Sequence, residues 1–211
     1  NMDKAKTLGQ VLTPHHIVCA ILDACGYSGC AVLGRFVMEP SCGDGAFLTE
    51  IVRRYIAAAK EARMTPEQTA ADLSKYIFGI EIDEDMWHKC LARLDKIVSE
   101  TLGSVRVQWQ IMHGDTLHLY ANYPQTFDWV IGNPPYVRVH NLPEDTRRFI
   151  KRHFQFAVGT TDILPPFPRL FAATGQPENA VRPESGKSVR GLFHLHRDYH
   201  NGLRTEKCRM L

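Results

Sequence analysis

Between Thr13 and Gly132, short apolar runs of strand length alternate with apolar stripes of helical period. The runs are Arg35 to Glu39 (around Phe36, Val37 and Met38), Tyr76 to Ile82, Val105 to Met112, and Phe127 to Gly132. Between them, Phe47, Leu48, Ile51, Val52, Tyr55 and Ile56 recur at helical spacing, as do Met86, Cys90, Leu91, Leu94, Ile97 and Val98. Such alternation predicts an α/β domain: a mainly parallel sheet with helices on both faces. Ligands of these sheets bind beyond the carboxyl ends of the strands. At 211 residues the chain can hold one such domain with a sizeable core, not two.

Local signals punctuate this pattern. Thr13 reads as an N-cap and Pro14 as the first residue of a helix carrying Ile17, Val18, Ile21, Leu22 and Cys25, with Gly26 to end it. Thr65-Pro66-Glu67-Gln68 reads as a capping box opening a helix that runs through about Lys75. Asp83 reads as a further cap. The sequence has no internal repeat and no low-complexity tract.

Composition excludes several classes. No apolar run is long enough to span a bilayer, and no basic-then-apolar leader is present, so a cytoplasmic protein without a membrane role is expected. The six cysteines form no Cys-x-x-Cys pair and no cysteine–histidine cluster of zinc spacing, so they read as reduced thiols and no metal site is expected. With a formal net charge of +2, any nucleic-acid footprint must be local.

Four polar clusters fall at successive strand ends. Asn133-Pro134-Pro135-Tyr136 directly follows the last run. An exocyclic amine is a poor nucleophile because its lone pair is delocalised. The Asn133 side-chain oxygen and the Pro134 carbonyl could each accept one N–H, favouring a pyramidal nitrogen through positioning and fixed dipoles. Pro134 and Pro135 restrict the turn, and Tyr136 offers an aromatic face to a flat substrate. A plain proline turn with an exposed tyrosine is the bland alternative.

The second cluster is Glu39-Pro40-Ser41-Cys42-Gly43-Asp44-Gly45, where Gly43 and Gly45 permit a tight turn and close ligand approach. It lacks the third glycine of the dinucleotide fingerprint, which counts against NAD. The third is Glu81, whose carboxylate could accept from two ribose hydroxyls or be only a surface acid or a helix cap. The fourth is His113-Gly114-Asp115-Thr116, whose aspartate could accept from an adenine amino group or serve only as a turn residue.

Taken in order, these clusters resemble the gamma-class adenine-N6 DNA methyltransferases of restriction–modification systems, over roughly Leu8 to Ile163. Gly9-Gln10-Val11-Leu12-Thr13-Pro14 resembles that family's N-terminal cofactor motif. The resemblance implies a Rossmann-like methyltransferase fold, S-adenosylmethionine as cofactor, double-stranded DNA as partner, and no metal requirement for methyl transfer. It implies that Thr13 and Ser41 bind the methionine carboxylate, with Glu39 near the ammonium. Glu81 would hold the ribose, Ile82 would pack on the cofactor adenine, and Asp115, with Thr116 beside it, would meet the adenine amino group. Asn133, Pro134, Pro135 and Tyr136 would form the catalytic turn around a flipped adenine. Arg138, Arg147, Arg148, Lys151 and Arg152 are candidate phosphate contacts, or a solvated helix face. The Asn-Pro-Pro-Tyr turn is shared with a protein-glutamine methylator, the nearest rival.

The family pattern stops at Ile163. Residues 1–163 read as a partial catalytic domain, and Leu164 to Leu211 as an aberrant or disordered tail, with no target-recognition domain. In the family's sheet order the strand ending at Gly132 would then be an apolar edge. Weak stability, and weak or absent activity, are the corresponding expectations; a remnant that retains cofactor binding alone is the other reading.

Overall fold

The computed structural model describes residues 13–119, 127–133, 144, 145, 148 and 190–193. Its elements are α1 (His15–Ala24), a 3-10 turn (Gly29–Val32), β1 (Val37–Glu39), α2 (Ala46–Glu61), α3 (Pro66–Tyr76) and β2 (Ile77–Glu81). These are followed by α4 (Glu84–Leu102), β3 (Gln110–His113), α5 (Thr116–Leu119), β4 (Trp129–Gly132) and β5 (Arg190–Phe193). The strands form one parallel sheet in the order β3-β2-β1-β4-β5. The chain moves outward from β1 to β3, then returns to the other side of β1. The order therefore reverses between β1 and β4, the point at which sheets of this kind receive ligands in a crevice outside the strand ends.

Side-chain alternation divides the sheet into two buried faces. Val37, Ile77, Ile111, Trp129 and Ile131 join the core formed with α1, α2 and α4. Met38, Phe78, Ile80 and Val130 point the opposite way and are buried too. Burial on both faces is what a parallel sheet requires. β3 is the exception: Gln110 and His113 are exposed, as befits an edge strand.

Three terminal signals act as read from sequence. Thr65 Oγ1 accepts from Gln68 N at 3.2 Å while Gln68 Oε1 accepts from Thr65 N at 2.9 Å, with Pro66 beginning α3. Asp83 caps α4 by accepting from Met86 N at 3.1 Å. Gly26, at φ 67°, ends α1: its N–H reaches Asp23 O, and Tyr27 N reaches Leu22 O.

Other expectations are corrected. α1 begins at His15, with Pro14 rather than Thr13 in the capping position. Pro14 has ψ 144° and its carbonyl accepts from Ile17 and Val18, so the helical turn starts one residue later. β1 begins at Val37, because Arg35 and Phe36 are engaged by Asp128: its carboxylate accepts from Phe36 N at 2.9 Å and pairs with Arg35 at 3.1 Å. β3 is confined to Gln110–His113, since Gln108 N donates to Ser74 Oγ instead of to a strand. β4 is not an edge. β5 lies parallel beside it, from Trp129 opposite Arg190 to Gly132 opposite Phe193. Among the described residues no helix is long and apolar enough to cross a membrane.

Candidate cofactor and substrate site

The sequence clusters that the structure describes lie at the carboxyl ends of β1, β2, β3 and β4. After β1 the chain must reverse into α2 within a few residues. Gly43 (φ 54°) and Gly45 (φ 86°) make that possible in left-handed conformations. Gly45 has no alternative: a Cβ there would sit 2.8 Å from Cys90 Sγ on α4. Arg93 of α4 holds the turn from outside, donating to Asp44 Oδ2 at 2.6 Å and to Asp44 O at 3.1 Å. Cys42, beneath the turn, hydrogen-bonds Cys90; that bond and burial push its thiol pKa well up, so it stays protonated.

Glu81 binds this loop to the next strand end. Its Oε2 accepts from Gly43 N at 2.7 Å and its Oε1 from Asp83 N at 2.9 Å. Cys42 N donates to Ile80 O, and Gly114 N to Glu81 O. A carboxylate has about four lone-pair sites, so two remain after these backbone bonds. Ile82 follows, 52% exposed, the large apolar side chain most open to solvent among the described residues. Thr116 donates its hydroxyl to Pro40 O and so braces the first turn. Asp115 is half-buried, and its carbonyl accepts from Leu119 N as α5 begins.

The inner wall carries polar atoms with no partner. Glu39, at the end of β1, is 2% exposed. Its pKa is raised well above the ordinary carboxyl range, first by desolvation, then by Cys90 and Glu81; a hydrogen bond from Leu48 N opposes the rise. Glu39 Oε2, Ser41 Oγ and Asn133 Oδ1 are all buried without a hydrogen-bond partner among the described residues. Buried polar groups are rarely left unpaired, and these three follow or end the paired strands β1 and β4, which makes them candidates to meet another molecule's polar groups. Asn133 Nδ2 donates to Thr13 Oγ1 at 3.3 Å, a contact spanning 120 positions, so the amide nitrogen is engaged while Oδ1 is not.

The structure places Glu39, Ser41, Gly43 and Gly45 at and after the end of β1, Glu81 and Ile82 at the end of β2, and Asn133 after β4, with Thr13 bonded to Asn133. Sequence reading assigned Thr13 and Asn133 to different ligands and missed that they touch. It also missed Gly132, where a Cβ would stand 3.3 Å from Glu39 Cγ. The signal available was a glycine closing an otherwise bulky buried strand. Arg148 is exposed and paired with Glu144 at 3.0 Å, one helical turn away. Pro134, Pro135, Tyr136, Arg138, Arg147, Lys151 and Arg152 lie outside the described residues.

The sheet order and the strand-end crevice define a Rossmann-like methyltransferase fold. Among solved structures, 82% of the chain superposes on 20% of a chain in a cryo-EM DrdV–DNA complex (TM-score 0.58, 19% identity). It also matches a putative class I S-adenosylmethionine-dependent methyltransferase from Listeria monocytogenes over 81% of this chain and 45% of that one (TM-score 0.51, 17% identity).

The chain belongs to the N-6 DNA methylase family, whose model matches residues 1–162. Curated relatives include the type II methyltransferases M.PaeR7I of Pseudomonas aeruginosa, 30% identical, and M.BstVI of Geobacillus stearothermophilus, 28% identical, each over 167 residues. These alignments cover 75% of this chain but 28% and 30% of the relatives, so the chain spans less than a third of their length.

Proposed function

We propose that the crevice binds S-adenosylmethionine and that the chain's site serves methyl transfer to the N6 amino group of an adenine turned out of duplex DNA. The observation that carries this reading is that Asn133 Oδ1 and Glu39 Oε2, both buried without a partner among the described residues, lie at the ends of the paired strands β4 and β1, where the strand order reverses. Bound there, the cofactor supplies an electrophilic methyl group on a sulfonium.

The chain's residues supply the rest. Glu39 accepts from the cofactor ammonium, and a cation at that position offsets the desolvation of its carboxylate. Ser41 donates to the methionine carboxylate. Gly43 and Gly45 let the backbone approach closely. Glu81 uses its remaining lone pairs for ribose hydroxyls. Ile82 covers an adenine face, and Asp115 accepts from its amino group. Asn133 Oδ1 and the Pro134 carbonyl each accept one substrate N–H, so the nitrogen lone pair is freed toward the methyl group. Thr13 fixes the Asn133 amide in that orientation. Pro135 stiffens the turn, and Tyr136 stacks on the flipped base. Arg138, Arg147, Arg148 and Lys151 would meet phosphates, with Arg148 exchanging Glu144 for DNA.

Labelled methyl transfer to DNA, RNA and a release-factor protein tests the reading. Label should enter adenine N6 of DNA, and Asn133→Ala should cut transfer on the order of 100-fold. Cofactor affinity by calorimetry should stay within about threefold, since Asn133 acts on the acceptor nitrogen. Label on protein glutamine, or full transfer by the variant, rejects it. Cofactor binding with no transfer to any acceptor supports the remnant reading.

A further inference from the structure

On the outer side of α1, three metal-binding groups come together that the strand-end site does not use. His15 and Cys19 are four residues apart on α1 and share a face. Glu50 approaches from α2. His15 Nε2 lies 3.2 Å from Glu50 Oε2 and 3.6 Å from Cys19 Sγ, and the three ligand atoms lie within 4.8 Å of one another. Bond lengths at tetrahedral zinc give N···O and S···N edges of about 3.4 Å and 3.6 Å. The observed separations of 3.2 Å and 3.6 Å are close to those two edges, so the three groups stand within ligand reach of one another.

The surroundings orient these ligands. Arg54 donates to Glu50 Oε1 at 3.0 Å, leaving Oε2 turned to His15. The same guanidinium donates to Asp23 at 2.6 Å and to the carbonyls of Tyr27 and Cys19, so its charge is compensated and both helices are held in register. Outer partners of this kind set the orientation of a metal-binding carboxylate. Cys19 Sγ lies 3.9 Å from His15 Nδ1 as well, so the thiol rests against the ring. Binding requires the ring to turn, and a His15 side chain 66% exposed is free to do so. A thiolate and a carboxylate together balance a divalent charge.

We propose that His15, Cys19 and Glu50 form a site for a borderline-soft divalent cation of the zinc type, with solvent in the fourth position. The proposal stands on the α1–α2 geometry and is independent of the methyl-transfer reading. Sequence analysis passed over it because only two ligands share a helix; the third is 31 positions beyond Cys19 and becomes a neighbour only when α1 packs on α2. Occupancy would pin α1 to α2 two residues beyond Thr13, the residue that orients Asn133.

Titration of the full chain with Co2+ tests this. One equivalent should bind with the visible bands of tetrahedral cobalt and a thiolate-to-metal charge-transfer band, both displaced by Zn2+. Cys19→Ser should remove the charge-transfer band and weaken binding at least tenfold, and Glu50→Gln should also weaken it. Cys30→Ser, at an exposed thiol outside the cluster, should change neither. Absence of saturable binding, an octahedral spectrum, or a charge-transfer band that survives Cys19→Ser overturns the proposal.

Discussion

Glu39 illustrates how one residue can trade stability for binding. Its folded pKa is raised, so the native state keeps a proton that the unfolded chain loses. Its contribution is therefore intact below the ordinary carboxyl range and declines as pH climbs from there through the raised folded pKa. Glu39→Gln removes the ionisation. Denaturation across a pH series should find the variant more stable than wild type at neutral and alkaline pH, by about 1 kcal/mol or about 2–4 °C. The pH dependence from this group should vanish. Affinity for S-adenosylmethionine should nevertheless fall at least tenfold, because the acceptor facing the ammonium has lost its charge. An unchanged affinity would remove Glu39 from the site. Gly45 offers the converse case. Gly45→Ala combines a φ of 86° with a 2.8 Å approach to Cys90 Sγ and should cost roughly 2–3 kcal/mol in chemical denaturation.

At the scale of elements, legibility followed range. The capping box of α3 and the Asp83 cap of α4 were readable because both partners lie within three positions of each other. Thr65→Ala should accordingly cost about 1 kcal/mol, leaving cofactor binding unchanged, as measured by parallel denaturation and calorimetry. An equally large binding defect would mean that α3 is coupled to the crevice. The strand ends carrying Glu39, Glu81 and Asn133 were also readable, because buried parallel strands are short apolar runs followed by polar turns. Three features were not. Thr13 was read as a cap because Thr-Pro before an apolar stripe suits one, yet its hydroxyl is used 120 positions away by Asn133. The starts of β1 and β4 were misplaced because the Asp128 carboxylate, 92 positions from Phe36, takes the Phe36 N–H and pairs with Arg35, side-chain bonds that an apolar run does not reveal. The metal-type cluster needed the packing of one helix on another before it existed at all.

For the whole molecule, the decisive feature is what lies beside β4. A sequence whose family pattern ends at Ile163 suggests a sheet that stops at β4, with an unsatisfied row of backbone groups along an apolar strand. Instead, the segment Arg190–Phe193 supplies a parallel neighbour whose register covers the whole of β4. That pairing encloses the strand that delivers Gly132 and Asn133 to the crevice, so the distal segment and the candidate site are mechanically linked. A chain ending at residue 163 would leave Trp129 to Gly132 paired on one side only, by β1. It should show a lower denaturation midpoint than the full chain and concentration-dependent association in sedimentation. Cofactor binding should weaken with it, because the Asn133 wall loses its outer support. If the shortened chain instead matches the full one in midpoint, solubility and affinity, β5 contributes nothing to holding β4, and the stability of the site must come wholly from β1 and the α1–α2 layer.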